Sequence, residues 1–391
     1  MSKHNNSRRA FFQKSAAATL GLSLAPSLLG CDNTKAATAP VVATPEWRNK
    51  QSDMQYRMLG KSGLMVSEIV LGTFPFNDPK DIPIMEAAVE RGINYLDTAS
   101  AYSQGEVEKV VGQYISQPGV REKVFVSTKL SGYYGYIGKV ANDIFKGLPQ
   151  DKKNALQKKA QDMIAERCVK RPGYHMNFFN GQENQFDKTY LRYVIMQEYG
   201  YTKEHKTKMK EHARKLLNEG LQRLQTDYVD VLHCPHGVAM PEMLEDEVLR
   251  EILAEFKEKG LVKNAAVSFH NDVTANLQKA VEVGYYDLAM FAYNIANHAA
   301  LDSTVYKAKE AGLGLIAMKV GRLFVMQDQP TWRLDKLNTT IPDEDLSKFA
   351  KAYMWALQNP NLSCCVSQME TVDKIEDNLA VIGRKYDVKS V

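Results

Sequence analysis

Asn94-Tyr95-Leu96-Asp97-Thr98-Ala99, Val124-Phe125-Val126-Ser127-Thr128-Lys129 and Asp227-Tyr228-Val229-Asp230-Val231-Leu232-His233 are apolar runs of strand length, and each closes at or beside an ionisable side chain. Working outward from them, runs of the same kind cover 69–73, 93–98, 124–129, 228–233, 264–268, 288–291, 314–318 and 363–366, eight in all. Between them lie segments with apolar residues at helical spacing, notably 84–91, 106–116, 208–223, 244–259, 273–283 and 345–358. Several of these stop at Gly92, Gly260, Gly284 or Gly312, where a left-handed C-cap favours a residue without Cβ. Eight buried strands that each lead into a helix predict an α/β fold closed as a (β/α)8 TIM barrel. An open doubly wound sheet fits less well, because no GxGxxG follows an early strand. A short β-hairpin, with strands at 56–59 and 65–66 around the turn Lys61-Ser62-Gly63, precedes the first barrel strand.

Composition narrows the function without naming it. Of 391 residues, 44% are apolar and 25% charged, and 50 basic against 46 acidic residues leave a formal charge of +4. So small an excess, spread along the chain, points to no nucleic-acid partner. The cysteines, Cys31, Cys168, Cys234, Cys364 and Cys365, form no CxxC pair, and the spacing of His175, His236, His270 and His298 supports no ligand set, so no metal site is expected.

The N-terminus reads as an address. Ser7-Arg8-Arg9-Ala10-Phe11-Phe12-Gln13-Lys14 precedes an Ala/Leu-rich run, 15–29, too short to span a membrane. Residues 1–31 are therefore expected to be a twin-arginine export signal. It closes at Leu28-Leu29-Gly30-Cys31, which resembles a bacterial lipobox and makes Cys31 the expected lipidation site of a periplasmic lipoprotein, its only membrane contact. Cleavage near Ala39 by an ordinary peptidase is the alternative. Residues 32–55, rich in Thr, Ala and Pro, read as a flexible tether, with folding from about Tyr56 to the end at 391.

In such a barrel, chemistry gathers at the C-terminal ends of the strands. Asp97, Lys129 and His233 end the second, third and fourth strands, and Tyr102 follows in Ala101-Tyr102-Ser103-Gln104-Gly105-Glu106. Each alone could be a capping aspartate, a rim tyrosine, a strand-closing lysine or a satisfied histidine. Together they suit carbonyl reduction, in which a phenol protonates the oxygen while hydride reaches the carbon. Lys129 is expected to lower the Tyr102 pKa, Asp97 to hold Lys129, and His233 to donate to the substrate oxygen.

With these motifs in place the chain resembles the aldo-keto reductase family, through Tyr56-Arg57-Met58-Leu59-Gly60-Lys61-Ser62-Gly63-Leu64, 92–105, Thr128-Lys129 and His233-Cys234-Pro235. The resemblance runs from about Tyr56 to Gly383, interrupted at 131–206. It implies an oxidoreductase that interconverts a carbonyl and an alcohol with NAD or NADP across the barrel mouth. It also implies cofactor contacts from Thr73, Ser268, Lys319, Gly321, Arg322, Glu370 and Asn378. The pattern departs where the family has Ser-Asn, since Ser268 is followed by Phe269-His270, and where it has a glutamine, since Met290 stands there. Glu370 would repel a 2′-phosphate and accept from a ribose hydroxyl, which favours NAD over NADP; it could equally be a helix N-terminal charge.

The stretch 131–206 opens with Gly132-Tyr133-Tyr134-Gly135-Tyr136 and holds Phe178-Phe179 and Tyr199 to Tyr201. A segment that long leaving a strand's C-terminal end is expected to lie over the mouth, where aromatic rings would suit a carbohydrate substrate. A packed decorative subdomain or a subunit contact is the alternative. For an exported enzyme the cofactor is expected to be tightly bound. The rival reading is a lipid-anchored, non-catalytic binding protein on the same barrel.

Overall fold

The computed structural model describes residues 43–171, 175–326 and 330–386. At its base lie β1 (Glu46–Trp47), β2 (Tyr56–Met58) and β3 (Leu64–Ser67), with β2 and β3 forming the expected antiparallel hairpin and β1 added parallel to β3. The barrel follows as β4 (Ile69–Gly72), β5 (Tyr95–Asp97), β6 (Phe125–Lys129), β7 (Val229–His236), β8 (Val262–Phe269), β9 (Leu288–Ala292), β10 (Gly314–Met318) and β11 (Cys364–Ser367). These eight strands pair in sequence order, all parallel, and β11 closes on β4. The closed (β/α)8 barrel expected from the sequence is thus the observed fold.

Alternation along the strands decides what reaches the interior. Val70, Tyr95, Phe125, Val231, Ala266, Met290, Ile316 and Cys364 form one inner cluster, one residue from each strand, plugged from below by Leu59 and Leu64. Their neighbours Leu71, Leu96, Val126, Leu232 and Val267 belong instead to the larger shell between strands and helices. Two residues beyond the inner layer, the same alternation turns Asp97, Lys129 (four beyond Phe125), His233 and Ser268 inward. At the base, Gly60 has φ 56, and a β-carbon on it would lie 2.1 Å from the Gly314 nitrogen, so the hairpin plug requires glycine there.

Two boundaries differ from the sequence expectation. The chain is already anchored before Tyr56. Arg48 pairs through Nη2 with Asp230 Oδ1 at 2.9 Å and donates through Nη1 to the Val124 carbonyl at 2.6 Å, while Trp47 meets Tyr56 edge-on at 5.7 Å. The described part of 32–55, residues 43–55, is therefore part of the barrel base and not a tether; one arginine and a two-residue strand leave no periodic trace in so polar a stretch. The helix before β7 is also longer, Lys203–Leu224, because the Thr202 hydroxyl caps it by accepting from the His205 amide at 3.1 Å. Within 131–206 the chain forms helices Gly135–Gly147, Gln150–Glu166 and Asn184–Tyr199. The residues 1–42, with Arg8, Arg9 and Cys31, lie outside the described residues.

Candidate active site

The inward-facing ends of β5, β6 and β7 bring three of the four candidate residues into register. Asp97 lies opposite Ser127, and Lys129 opposite His233. Lys129 Nζ donates to Asp97 Oδ1 at 2.8 Å, to Asp97 Oδ2 at 2.7 Å and to the Thr98 carbonyl at 2.6 Å, so its three protons are all used. The Ser127 hydroxyl adds a bond to Asp97 Oδ1 at 2.7 Å. Burial disfavours the ammonium, but Asp97 and the Tyr102 phenol outweigh it and hold its pKa above the usual lysine value.

Tyr102 arrives from the turn after β5 and places its ring with the centroid 5.0 Å from Lys129 Nζ. Its pKa is raised, because burial outweighs the lowering by Lys129. The expected lowering by the ammonium is present, then, yet the net direction is upward, burial and the Asp97 carboxylate together outweighing it. Phe74 stands edge-on to the ring at 5.1 Å. His233 is fully buried, with Nε2 at 3.9 Å from Asp97 Oδ1. Burial, helped by Lys129, pushes its pKa well down, so the imidazole is neutral. Neither ring nitrogen completes a hydrogen bond, the Val267 backbone giving only weak support to a charged form.

The other half of the mouth is built differently. Ser268, inward at the end of β8 and paired in register with Met290, has a buried hydroxyl with no partner. Asn378 donates to the Ser367 hydroxyl at 2.9 Å and leaves Oδ1 buried and unpartnered. Lys319, in the left-handed region at φ 62, forms no ion pair among the described residues; burial first, then Arg322 and Lys129, push its pKa down to about 8. Gly321 is buried where a β-carbon would approach Phe349 to 3.1 Å, and exposed Arg322 donates through Nε to the Phe178 carbonyl at 3.4 Å. Two of the named residues are engaged elsewhere. The Thr73 hydroxyl donates to the Asp97 carbonyl at 3.0 Å, tying β4 to β5. Exposed Glu370 pairs with Lys374 one turn on, the arrangement of a helix-start charge.

The sequence profile of the Aldo/keto reductase family matches residues 68–177 and 188–391. The chain belongs to the aldo/keto reductase family. Among curated proteins, aldo-keto reductase AMT2 of Alternaria alternata is 40% identical over 91 residues, covering 20% of this chain and 25% of that protein. Versiconal hemiacetal acetate reductase of Aspergillus parasiticus is 34% identical over 93 residues, 21% of this chain and 26% of its own. The chain thus spans about a quarter of the length of such relatives. Among solved structures, aldo-keto reductase AKR11C1 from Bacillus halodurans superposes with a TM-score of 0.57 at 18% identity, over 85% of this chain and 92% of that one. An aldo/keto reductase from Klebsiella pneumoniae, solved in complex with NADP and acetate, gives 0.57 at 14%, again over 85% and 92%. At these identities the structures establish the fold.

Some residues of this aldo/keto reductase that face the mouth were not singled out by sequence. His236 accepts from or donates to the Ser131 hydroxyl at 2.8 Å, and burial with Lys129 and His233 pushes its pKa down to about 3. His270 meets Phe179 edge-on at 5.3 Å, beneath the insertion. Direct pairing of β7 with β8, His236 opposite Ser268, brings these histidines together, and their spacing alone carries no signal. The insertion reaches the mouth through 175–182: the Met176 amide donates to Asn271 Oδ1 at 3.0 Å, and Phe178 holds Arg322. The tyrosines expected to form its lid face elsewhere. Tyr133 donates to Asp246 at 3.2 Å and Tyr134 to the Met243 carbonyl at 3.0 Å, because the first turn of the insertion packs against the loop after β7.

Proposed function

We propose that the protein is an oxidoreductase that interconverts a carbonyl and an alcohol with a nicotinamide dinucleotide, Tyr102 acting as acid/base. The observation that carries this reading is the Lys129 ammonium, saturated by Asp97 and Thr98 and standing over the Tyr102 ring. An ammonium fixed in that way stabilises the phenolate left when the phenol gives up its proton. His233, neutral and with unfilled ring nitrogens, is suited to donate a hydrogen bond to the substrate oxygen.

The donor set fits the cofactor. Ser268 offers an orphan hydroxyl to an amide, Asn378 an orphan carbonyl, and Lys319 beside Arg322 two cations without a carboxylate partner among the described residues, as a pyrophosphate requires. When bound, the cofactor supplies or accepts the hydride. Glu370, neutralised by Lys374, no longer argues for NAD over NADP. For the substrate, exposed Phe74 and Phe179 and the neutral His236 and His270 supply ring faces and uncharged hydrogen-bonding groups, which suit a small carbohydrate.

Export of the folded protein through Arg8-Arg9, with lipid attached at Cys31 and the dinucleotide carried along, completes the proposal. The test is direct. Purified protein is titrated with NADH and NADPH by fluorescence and assayed against a panel of aldoses and simple aldehydes. Saturable binding with turnover of a carbonyl is expected; absence of binding to both dinucleotides would overturn the reading. Cys31→Ser should release the protein from the membrane fraction.

A further inference from the structure

Tyr102 does not sit on a strand. It opens the 3-10 turn Tyr102–Gly105, and the next three residues all lie in the left-handed region, Ser103 at φ 45, Gln104 at φ 56 and Gly105 at φ 95. Two of the three carry side chains, so such a turn persists only where its surroundings impose it. Gly105 leads directly into helix Glu106–Ile115, and the seat of that helix therefore decides where the phenol stands.

The seat is a chain of polar contacts on the outer side of the barrel wall. Thr128 precedes Lys129 on β6, so alternation turns Thr128 outward while Lys129 turns in. The Thr128 hydroxyl donates to Glu108 Oε1 at 2.5 Å, and Arg223 Nε donates to Glu108 Oε2 at 2.7 Å. Glu108 has no solvent exposure, so its charge depends on these partners. Arg223 lies in the last turn of helix Lys203–Leu224, and its side chain forms the floor under the Tyr102 turn: a β-carbon on Gly105 would fall 2.8 Å from its Cδ and Nε. At Gly112 the two helices touch backbone to backbone, since a β-carbon there would lie 2.3 Å from the Arg223 carbonyl oxygen.

We propose that Glu108, with Thr128 and Arg223, is a positioning group that locks the Tyr102 turn to the strand carrying Lys129 and so sets the spacing of phenol and ammonium. The inference rests on the acid/base reading of Tyr102. Its function would be lost without any group being removed from the mouth.

Thr128→Val is nearly isosteric and deletes the donor; Thr128→Ser restores it. The Tyr102 ring signal is followed by NMR at neutral pH in protein carrying isotope-labelled tyrosine, and assigned by its absence in Tyr102→Phe. In Thr128→Val that signal should move toward the free-tyrosine position as the ammonium, 5.0 Å from the ring centroid, is displaced. In the same variant kcat should fall about tenfold with KM for dinucleotide and carbonyl unchanged, and Thr128→Ser should return both signal and rate. Arg223→Lys, which keeps the charge beside Glu108, should give a smaller change of the same kind and serves if Thr128→Val does not fold. A Tyr102 signal and kcat that stay at wild-type values in Thr128→Val, or a loss confined to thermal stability, would overturn the lock. Full activity in Tyr102→Phe, with the signal still responding to Thr128→Val, would instead sink the acid/base reading and leave the lock standing.

Discussion

The two halves of the barrel mouth differ in how they treat their buried cation. Along β5 to β7, every proton of the Lys129 ammonium has an acceptor on Asp97 or Thr98 and Ser127 supports the carboxylate, while the neutral Thr98 hydroxyl and both His233 ring nitrogens stay open. Along β8 to β11, Ser268 and Asn378 keep buried orphan atoms, and Lys319 is a cation without a counter-charge among the described residues. Buried polar groups are normally paired, so leaving the Ser268 hydroxyl, the Asn378 carbonyl and the Lys319 ammonium open costs stability that a bound anion and amide would recover. The first half is arranged for chemistry before any ligand arrives; the second is complementary to something absent from the chain itself. That contrast supports assigning catalysis to one wall and cofactor holding to the other.

Substitutions on each wall should then behave in opposite ways. Lys129→Met should have the largest effect, leaving Asp97 buried and unpaired: a loss of about 3–5 kcal/mol in denaturant melts, with turnover down at least about 100-fold. Normal stability in that variant would break the picture of a closed ion pair. Lys319→Met should leave stability nearly untouched and weaken dinucleotide binding about tenfold or more. Its sign with pH follows from the depressed pKa. An anionic ligand favours the charged amine, so wild-type affinity should be full below about pH 8 and decline as pH rises through that value, whereas Lys319→Met should be flat over the same range. Ser268→Ala should be neutral or slightly stabilising without ligand, since it removes an orphan hydroxyl, and should weaken the dinucleotide about two- to tenfold. Smallest of all, Glu370→Gln should shift stability by less than about 0.5 kcal/mol and change the NADH to NADPH preference by less than about threefold. A swing of tenfold or more toward NADPH would give Glu370 back its role as a selector.

The sequence carried most of the barrel and half of the site for the same reason. Inward and outward residues alternate along buried strands, so runs ending at Asp97, Lys129, His233 and Ser268 announce both the wall and the groups that crown it. Tyr102 follows no such period; its turn of left-handed residues becomes legible only as a family motif. The Arg48 anchor was hidden in a Thr/Ala/Pro-rich stretch, where a single buried guanidinium outweighs composition. His236 and His270 meet at the mouth through the register of β7 on β8 and burial under 175–182, and neither can be read from sequence spacing. Nor does sequence spacing reveal whether a named residue is already engaged, as Thr73 and Glu370 are.

The central claim is that Tyr102 moves the proton while other residues hold the cofactor, and one variant measured two ways tests it. Tyr102→Phe should bind the dinucleotide with an affinity within about twofold of wild type, because the proposed cofactor contacts lie on the other wall. The same preparation should lose carbonyl turnover by about 100-fold or more. Turnover at the wild-type rate with binding intact would contradict the account.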